Sequence, residues 1–295
     1  MNDRKKQTDK KPRPARPGSL QRDRSRGGVY QAPVSQKNDF ALSSEENGIH
    51  GDYQNGAVIG RNAVRELLRA DRPIDKLLVQ KGERTGSIVV LVAEAIERGI
   101  PVIETEKSKL DTLAGYAPHQ GVIAFAAEKE YCSVDDIIAY ARSKNEEPFI
   151  LIADGINDPH NLGALIRCAE AAGCHGLIIP KRRSVTLTAT VSKASAGAIE
   201  HMRVAKVTNL ASTVEDLKKK GIWIYSAEAD GQDIDTVDIV TPAAFVLGSE
   251  GQGVSRLIRE KSDFVLSIPM RGKVNSLNVS SAGAVILFHA RKFFN

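Results

Sequence analysis

The sequence contains few of the residues from which metal sites and disulfide frameworks are built. Its 295 residues include 3 cysteines, 6 histidines and 1 tryptophan. The cysteines, at positions 132, 168 and 174, have neither metal-ligand spacing nor the spacing of a disulfide framework, and the histidines are scattered. We therefore predict that the protein binds no metal and works in a reducing compartment, the cytoplasm. No apolar run approaches the ~20 residues that span a membrane, so we expect no membrane partner.

The positive charge of the chain is concentrated at its start. The net charge is +5, but residues 1–26 hold ten Lys/Arg against three Asp, or +7, which leaves −2 for the remainder. Residues 1–52 form a basic tail that is poor in apolar side chains, and we predict that it is disordered. It lacks the apolar segment of a signal peptide. Two roles stay open for it: contact with RNA through counterion release, or a simple solubilising function.

Strands and helices alternate in two stretches after this tail. Within residues 57–127 the apolar spacing predicts helices in 57–70, 87–99 and 108–115, and strands at 76–80, 101–105 and 119–127. Residues 128–147 are polar and charged, and we interpret them as a connecting helix and linker.

The second alternating stretch covers residues 148–295. Its predicted strands are at 149–156, 176–180, 202–206, 221–229, 244–250 and 264–270, and its predicted helices are at 161–173, 188–199, 210–221, 254–261 and 279–293. Apolar strands between helices predict an α/β fold with a mostly parallel sheet covered on both faces. The last helix is expected to bury a face made of Val279, Ala282, Val285, Ile286, His289 and Phe293.

Three polar, glycine-containing segments come directly after predicted strands. They are DGINDPHNLGALIRCAEAAG (154–173), LGSEGQGVS (247–255) and IPMRGKVNSLNVSSAG (268–283). Ligands of open α/β sheets bind at that end of the strands. Taken alone, the first segment is better explained by an N-cap Asn161 and a solvent-exposed Arg167, with Gly163 allowing another backbone to approach. The third is partly explained by a cap at Ser276 or Asn278.

The second segment places three glycines around Ser249 and Glu250. Because glycine has no side chain, such a loop can present its backbone amides and carbonyls to a flat ligand. A dinucleotide-binding loop is excluded by the spacing, GxxGxG rather than GxGxxG, and by its position near the end of the chain. A plain turn remains an equally good explanation of this segment alone.

Together and in this order, the three segments resemble the motifs of the SpoU (TrmH-type) RNA 2′-O-methyltransferases of the SPOUT superfamily. The matching residues are Asn-x-Gly followed by Arg at 161–167, Gly-x-Glu-Gly-x-Gly at 248–253, Ile-Pro-Met at 268–270 and Ser-Leu-Asn-Val-Ser at 276–280. The resemblance covers residues 148–295, and residues 57–127 resemble the L30e-like RNA-binding domain that precedes the catalytic domain in many members. It implies a deep trefoil knot in the catalytic domain and a homodimer with the active site at the subunit interface.

This resemblance also implies the reaction: S-adenosylmethionine is the methyl donor, and the acceptor is a ribose 2′-hydroxyl of RNA. Within the family, the likeness is closest to the bacterial enzymes that methylate a guanosine of 23S ribosomal RNA. The residues that match the family's cofactor-binding positions are Leu247, Gly248, Gly253, Ile268, Met270 and Leu277. Those that match its catalytic positions are Asn161, Arg167, Glu250, Ser276 and Asn278. Since a guanidinium is a poor base, we expect Arg167 to hold a phosphate beside the target ribose rather than to remove the proton.

Further RNA contacts are predicted outside these motifs. The candidates are Arg61, Asn62, His119 and Gln120 in the first stretch, and Arg182, which lies in a basic turn with Lys181 and Arg183. Capping or simple solvation explains these residues equally well. Three other functions remain open: a transfer RNA methyltransferase of the same group, a catalytically silent RNA-binding protein, and a nucleotide-dependent oxidoreductase. The joint presence of the catalytic-motif residues argues against the second, and the position of the glycine loop argues against the third.

Overall fold

The structure, a computed structural model, describes residues 56–294 except Asp71 and Arg84, and the predicted tail lies outside the described residues. Its N-terminal elements are β1 (Ala57–Ile59), α1 (Arg61–Arg69), β2 (Ile74–Gln80), α2 (Ser87–Glu97), β3 (Val102–Thr105), α3 (Lys107–Leu113) and β4 (Val122–Ala126). The strands form a sheet in the order β1-β4-β2-β3, in which β4 is antiparallel to both neighbours and β2 is parallel to β3.

Both faces of this small sheet are covered. The apolar faces of α1 and α2 pack on one side, where Leu67 and Leu91 are buried, and α3 covers the other with Leu110. The helices and strands expected from the apolar spacing of residues 57–127 are present with bounds shifted by a few residues, except at the start: Ala57–Ile59, expected in the first helix, form the strand β1 and pair with β4.

The elements of the larger C-terminal part begin with α4 (Val134–Ser143). They continue with β5 (Phe149–Asp154), α5 (Pro159–Ala171), β6 (Gly176–Pro180), α6 (Ala189–Ala194), β7 (Arg203–Val207), α7 (Leu210–Lys219), β8 (Trp223–Asp233), β9 (Ala243–Gly248), α8 (Arg256–Lys261), β10 (Phe264–Ser267) and α9 (Val279–Ala290). Short 3-10 turns occur at Ala198–Glu200, Ile234–Thr236 and Arg291–Phe293.

The six strands of this part form a sheet in the order β10-β8-β9-β5-β6-β7, and every neighbouring pair is parallel. Helices α5, α6 and α9 pack on one face and α4, α7 and α8 on the other, so the central strands are apolar except for Asp154 at the end of β5. The predicted α/β fold with a parallel sheet covered on both faces is confirmed. The trefoil knot stays a prediction. No helix in the described part of the chain has the length and hydrophobicity needed to cross a membrane.

The centre of the larger sheet has the geometry of a ligand crevice. Strands β5 and β9 are neighbours, and their last residues, Asp154 and Gly248, lie opposite each other. The chain leaves β5 towards α5 on one face, where Leu165 is buried, and leaves β9 towards α8 on the other, where Ile258 is buried. Connections that diverge in this way open a crevice at the carboxyl ends of the strands.

In the larger part of the chain, two further sequence-based expectations differ from the structure. The linker of residues 128–147 contains α4, whose Ile137 and Ile138 are buried in the core of the larger sheet, and Cys132 forms a β-bridge with Ala205. This segment is thus packed as part of the larger sheet, while the predicted domain boundaries themselves stay a prediction. On α9, Val285 is 43% exposed, so its assignment to the buried face is wrong. This helix is apolar on almost all sides, and the spacing alone did not identify which face is buried.

Candidate active site

A cavity of about 640 Å³ opens at the carboxyl ends of β9 and β10, beside the middle of β8. It is enclosed by the end of β9, the loop after it, the segment after β10 and the first turns of α9. All the residues that match the family's cofactor-binding positions line it: Leu247, Gly248, Gly253, Ile268, Met270 and Leu277. Glu250, Ser276 and Asn278 line it as well. The second and third glycine-containing segments therefore meet in one cavity.

The glycine loop after β9 closes tightly on itself. A Cβ on Gly248 would lie 1.9 Å from the carbonyl carbon of Gly253, so the two backbones touch at a point where only glycine fits. The Gly253 amide donates a hydrogen bond of 2.9 Å to the Ser249 carbonyl oxygen. These two glycines serve the packing of the loop itself, and the loop carries Glu250 at its exposed tip.

Three polar side chains, one from each segment, are hydrogen-bonded to one another; we call Asn161, Glu250 and Asn278 the polar cluster. The amide of Asn161 donates to Glu250 Oε1 at 3.0 Å, and the amide of Asn278 donates to Asn161 Oδ1 at 3.0 Å and also to Glu250 Oε1. Asn278 additionally caps α9, because its Oδ1 accepts from the Ser280 amide at 2.9 Å. Capping and membership of the cluster are thus compatible, since they use different atoms of one side chain.

Helix α5 fixes the position of Asn161. Its N-cap, Asp158, accepts a hydrogen bond of 2.8 Å from the His160 amide, and Pro159 occupies the first helical position. Gly163 faces α6 so closely that a Cβ there would lie 2.4 Å from Ala194 Cβ. The sequence-based expectation that Gly163 permits a close approach agrees with this contact.

Arg167 is the predicted catalytic residue that the structure leaves apart from the others. It follows Asn161 by six residues on α5, which places it roughly 240° further around the helix axis. It is exposed, and it does not line the cavity. Its guanidinium has no carboxylate within ion-pair distance among the residues that the structure describes. Within one chain, the predicted catalytic set therefore divides into the polar cluster with Ser276 and a separate Arg167.

The chain offers no activated thiol. Burial raises the pKa of Cys132 and of Cys168, in the second case against the opposing charge of Arg167, and it raises the pKa of the fully enclosed Cys174 well above its usual range. Such side chains stay protonated at neutral pH and are poor nucleophiles. No group of His, Cys, Asp and Glu side chains suited to a metal ion occurs in the described ranges.

Glu228, which the sequence analysis did not single out, also lines the cavity. Its Oε1 accepts a hydrogen bond of 2.6 Å from the Val254 amide and thereby ties β8 to the end of the glycine loop. A Cβ on Gly253 would lie 2.6 Å from the same oxygen, so the carboxylate packs directly against the loop. The available signal was an acidic residue inside an otherwise apolar strand, WIYSAEA, near its carboxyl end.

Three of the four RNA-contact candidates of the small sheet, Arg61, His119 and Gln120, line a cavity of about 400 Å³. Arg61 donates to Gln120 twice at 2.9 Å, from its backbone amide to the side-chain Oε1 and from Nε to the carbonyl oxygen. Lys107 and Tyr116 line the same cavity, and Tyr116 is 83% exposed. Arg61 and Gln120 are thus brought together, in a place that is open to solvent.

His119 and Asn62 differ from Arg61 and Gln120 in their surroundings. The ring of His119 is 5% exposed; its Nδ1 accepts from the Gly121 amide at 3.0 Å, and its Nε2 lies 3.0 Å from an Asp111 carboxylate oxygen. His119 lines the cavity, but both of its ring nitrogens are used inside the protein, so its contact with a looped-out base stays a prediction. The Asn62 side chain is exposed outside the cavity and accepts a hydrogen bond from Arg65.

Arg182 lies in the larger part, in the turn after β6. Together with Arg183 it lines a third cavity, beside the first, while Lys181 is exposed next to it and lines neither. The basic turn and the polar cluster therefore occupy separate hollows at the same edge of the larger sheet.

Comparison with known proteins agrees with this geometry. Residues 148–288 match the SpoU rRNA Methylase family, and residues 57–132 match the family described as RNA 2′-O ribose methyltransferase substrate binding. Among related proteins, YacO of Bacillus subtilis, named as a TrmH family tRNA/rRNA methyltransferase, is 46% identical over 236 residues, which cover 80% of this chain and 94% of YacO.

Solved structures share the fold. An RNA methyltransferase of the TrmH family from Porphyromonas gingivalis has a TM-score of 0.63 at 26% identity, covering 81% of this chain and 90% of that one. AviRb of Streptomyces viridochromogenes, a SpoU methyltransferase in complex with AdoMet, has a TM-score of 0.66 at 22% identity. The match covers 80% of this chain and 89% of AviRb. The identity to YacO over most of both chains decides the assignment: this chain belongs to the SpoU (TrmH) family of RNA methyltransferases.

Proposed function

We propose that this protein transfers a methyl group from S-adenosylmethionine to a ribose 2′-hydroxyl of RNA, and that the acceptor is a guanosine of 23S ribosomal RNA. The observation that carries the proposal is the polar cluster at the rim of the 640 Å³ cavity, where side chains from all three motifs are hydrogen-bonded. The match of residues 57–132 to a ribose methyltransferase substrate-binding domain supports the choice of acceptor.

The lining of the cavity fits this methyl donor. Ile268 and Leu277 are apolar groups suited to the faces of an adenine ring, and Gly248 also lines the cavity. Of the described residues that line the cavity, Glu228 and Glu250 are acidic and none is basic. A cavity of this charge favours a cationic ligand such as a sulfonium and disfavours the diphosphate of a nicotinamide dinucleotide. This distribution argues against the oxidoreductase alternative.

The donor, when bound, supplies a methyl group that its sulfonium already activates, so the protein needs neither a nucleophile nor a metal. Its residues have to place the ribose hydroxyl in line with that methyl group, keep water out and favour loss of the proton. We assign the placement to the polar cluster, in which Glu250 holds the two asparagine amides in fixed orientations. Ser276, on the cavity wall, is assigned to the orientation of donor or ribose polar groups.

Arg167 is assigned to a phosphate next to the target ribose. A guanidinium binds phosphate through two parallel hydrogen bonds and stays charged, so it also stabilises the developing alkoxide. Replacement of Arg167 by Lys keeps the charge but removes the two-bond geometry. We expect Arg167→Lys to lose most of its turnover at saturating RNA with an unchanged affinity for the donor; full turnover would show that this assignment is wrong.

We further propose that the active enzyme is a homodimer in which one copy supplies Arg167 to the polar cluster of the other. Helix α9 begins at the cluster and exposes apolar side chains beyond it, with Val285 at 43% and Phe288 at 50% exposure. Val285 and Phe288 are three residues apart and therefore lie on one face of α9, which is the face that we propose the second copy covers. We expect Phe288→Asp to sediment as a monomer and to lose turnover; a monomeric wild type with full activity would contradict the proposal.

The small sheet is proposed to bind the RNA around its target. Arg61, Lys107 and Gln120 surround its cavity, and the exposed Tyr116 is available to stack on an unpaired base. A separate substrate-binding domain favours a large structured RNA such as ribosomal RNA, although the relatives are named for both transfer and ribosomal RNA. A transfer RNA methyltransferase is therefore the second candidate, and a catalytically silent RNA-binding protein the third.

The deciding experiment maps ribose methylation across ribosomal and transfer RNA in cells with and without this gene. Loss of one 2′-O-methyl mark on a guanosine of 23S ribosomal RNA is the expected result. Loss of a mark on a transfer RNA would favour the second candidate, and an unchanged map would favour the silent RNA-binding protein. Calorimetry with S-adenosylmethionine and with nicotinamide dinucleotides tests the donor directly; only the former is expected to bind.

A further inference from the structure

A second cavity adjoins the candidate active site. It has a volume of about 950 Å³ and lies at the carboxyl ends of β5, β6 and β7; we call it the arginine groove. Ser249 and Gly253 line both the arginine groove and the 640 Å³ cavity. The residue after Ser249 is Glu250 of the polar cluster, so the groove begins one residue away from the site at which the target ribose is proposed to bind.

The basic turn in this groove is held rigidly. The Lys181 amide donates to the Val207 carbonyl oxygen at 2.8 Å, and the Val185 amide donates to the Ile156 carbonyl oxygen at 3.0 Å. Between these two anchors, Arg183 has a φ of 57°, a left-handed conformation that is uncommon for arginine. Such outliers persist where the surrounding structure enforces them, and they cluster at functional sites.

The turn is hydrogen-bonded to the segment after β5 and lies close to the loop after β9. A Cβ on Gly155 would lie 3.8 Å from Ser249 Oγ and 3.9 Å from the Arg183 carbonyl oxygen. The loops after β5, β6 and β9 therefore meet at one point. Arg182 and Arg183 consequently project from a fixed frame beside the active site rather than from a free loop.

The charges that face the groove are mostly positive. Arg182, Arg183 and Arg256 line it, and Asp154 is the acidic residue among the described residues that do so. Asp154 already accepts a hydrogen bond of 2.8 Å from the Ser255 amide, and Arg256 pairs with Glu260 at 2.7 Å. Neither Arg182 nor Arg183 has a carboxylate within ion-pair distance in the described part of the chain.

The excess of positive charge in this groove contrasts with the rest of the chain, which carries a net charge of −2 beyond residue 26. Two arginines without carboxylate partners, on a rigid turn, form a local positive site on a slightly acidic body. Arginine in this situation is suited to phosphate oxygens, which match its planar donor geometry. The groove is also open, as a polymer that passes through it requires.

We propose that the arginine groove binds the phosphodiester backbone of the single-stranded RNA segment that flanks the target ribose. Arg182 and Arg183 contact successive phosphates, and Arg256 extends the contact along the groove. The proposal rests on the proposed function, since it needs RNA as the substrate, but it makes a separate statement about where the strand leaves the site. It predicts a defect in RNA binding without a defect in donor binding.

The test compares Arg182→Gln/Arg183→Asn with Arg142→Gln in the full-length protein. Asparagine tolerates the left-handed conformation at position 183. Arg142 is an exposed arginine in the last turn of α4. The chain continues from α4 to the first residue of β5, so Arg142 lies towards the edge of the sheet opposite to the arginine groove. The probe is large-subunit ribosomal RNA from cells that lack the gene. Its affinity is measured between about 50 and 200 mM salt, with calorimetry of S-adenosylmethionine in parallel.

We expect the double variant to bind this RNA about tenfold to hundredfold more weakly. The salt dependence of log K should become shallower by about 1.4, because each contact with a single strand contributes roughly 0.7. Its KM for RNA should rise while its affinity for S-adenosylmethionine stays that of the wild type, and Arg142→Gln should match the wild type throughout. Unchanged affinity and salt slope in the double variant would overturn the groove assignment.

The outcomes separate this proposal from the proposed function. If the wild type methylates RNA and the double variant binds RNA normally, the groove assignment fails and the function stands. If the wild type binds RNA through the groove but transfers no methyl group to any ribosomal or transfer RNA, the function fails and the groove stands. If the wild type binds no RNA, both fail.

Discussion

Replacement of Glu228 by alanine tests how the cavity is kept in shape. The carboxylate accepts the Val254 amide at 2.6 Å and lies against Gly253, so it joins β8 to the loop that carries Glu250. Alanine removes the acceptor and leaves the Val254 amide without a protein partner. We expect the loop to be held less firmly, and the binding of S-adenosylmethionine to weaken because this loop forms one wall of the cavity.

The expected loss of donor affinity follows from the hydrogen bond between Val254 and Glu228 that the substitution removes. A hydrogen bond to a charged group stabilises by about 1.5 to 3 kcal/mol net, and the Glu228 carboxylate is only partly exposed, which places it within that range. If the whole difference appears in donor binding, the dissociation constant rises by about tenfold to hundredfold. Glu228 is also one of the two acidic residues that line the cavity, so part of the loss has an electrostatic origin.

A glutamine variant separates these two contributions. The amide oxygen of Glu228→Gln still accepts the Val254 amide, whereas the negative charge is gone. If the loop contact dominates, calorimetry gives Glu228→Gln nearly the wild-type affinity for S-adenosylmethionine; if the charge dominates, the variant is as weak as alanine. Asp230→Ala is the matched control, since Asp230 lies on the same strand, is paired with Arg259 at 2.8 Å and does not line the cavity. An affinity of Glu228→Ala within about a factor of two of wild type would refute the reasoning.

Three further predictions concern stability and the polar cluster. Gly163→Ala should lower the free energy of unfolding by about 1 to 3 kcal/mol in urea titrations, because its new Cβ would lie 2.4 Å from Ala194 Cβ, and this overpacking outweighs the ~1 kcal/mol that alanine gains in helix propensity. Asn278→Ser retains an oxygen that caps α9 but loses both amide donations, so its unfolding midpoint should stay near wild type while turnover falls at least about tenfold. Wild-type turnover in Asn278→Ser, with a loss only in Asn278→Ala, would point to capping alone. Burial lowers the pKa of His175 from its usual 6.5, so this group contributes stability above that pH, and the contribution is lost as the pH falls through the lowered value. His175→Asn, whose Oδ1 can accept the Phe149 amide in place of Nδ1, should therefore flatten the decrease in unfolding free energy between pH 7 and pH 5, and an unchanged slope would contradict the assignment.

The sequence predicted those parts of the site that depend on strand ends. Parallel strands bring their carboxyl ends to one edge, so polar and glycine residues directly after β5, β9 and β10 had to lie near each other. This reasoning located Asn161, Glu250 and Asn278, and the family resemblance added their joint meaning. Hydrogen bonding among side chains from three separate segments is a further property, which depends on helix positions that spacing does not specify.

The missed features depend on packing across elements. From the sequence, His119 looks like an exposed loop residue. In the structure its ring is buried, and its two nitrogens are hydrogen-bonded to the Asp111 carboxylate of α3 and to the Gly121 amide. Glu228 lies inside a strand pattern, and only the fold of the loop after β9 gives it a partner. Val285 belongs to a helix that is apolar on nearly all sides, so the face turned to the core is decided by what packs against it. In each case the deciding contact joins residues from different elements, which local sequence does not encode.

The two cavities on either side of Ser249 have opposite charge, and this difference bears on how the reaction is ordered in space. The 640 Å³ cavity is lined by two carboxylates and no basic residue, whereas the arginine groove is lined by three arginines and one acid, all counted among the described residues. A cationic methyl donor and a polyanionic RNA are therefore each attracted to one cavity and repelled by the other. Both cavities open at the carboxyl edge of one sheet, Ser249 and Gly253 line both of them, and Glu250 of the polar cluster follows Ser249 directly in the chain. We infer that this separation of charge favours each ligand in its own cavity, so that the methyl donor and the target ribose approach each other near Glu250 of the polar cluster.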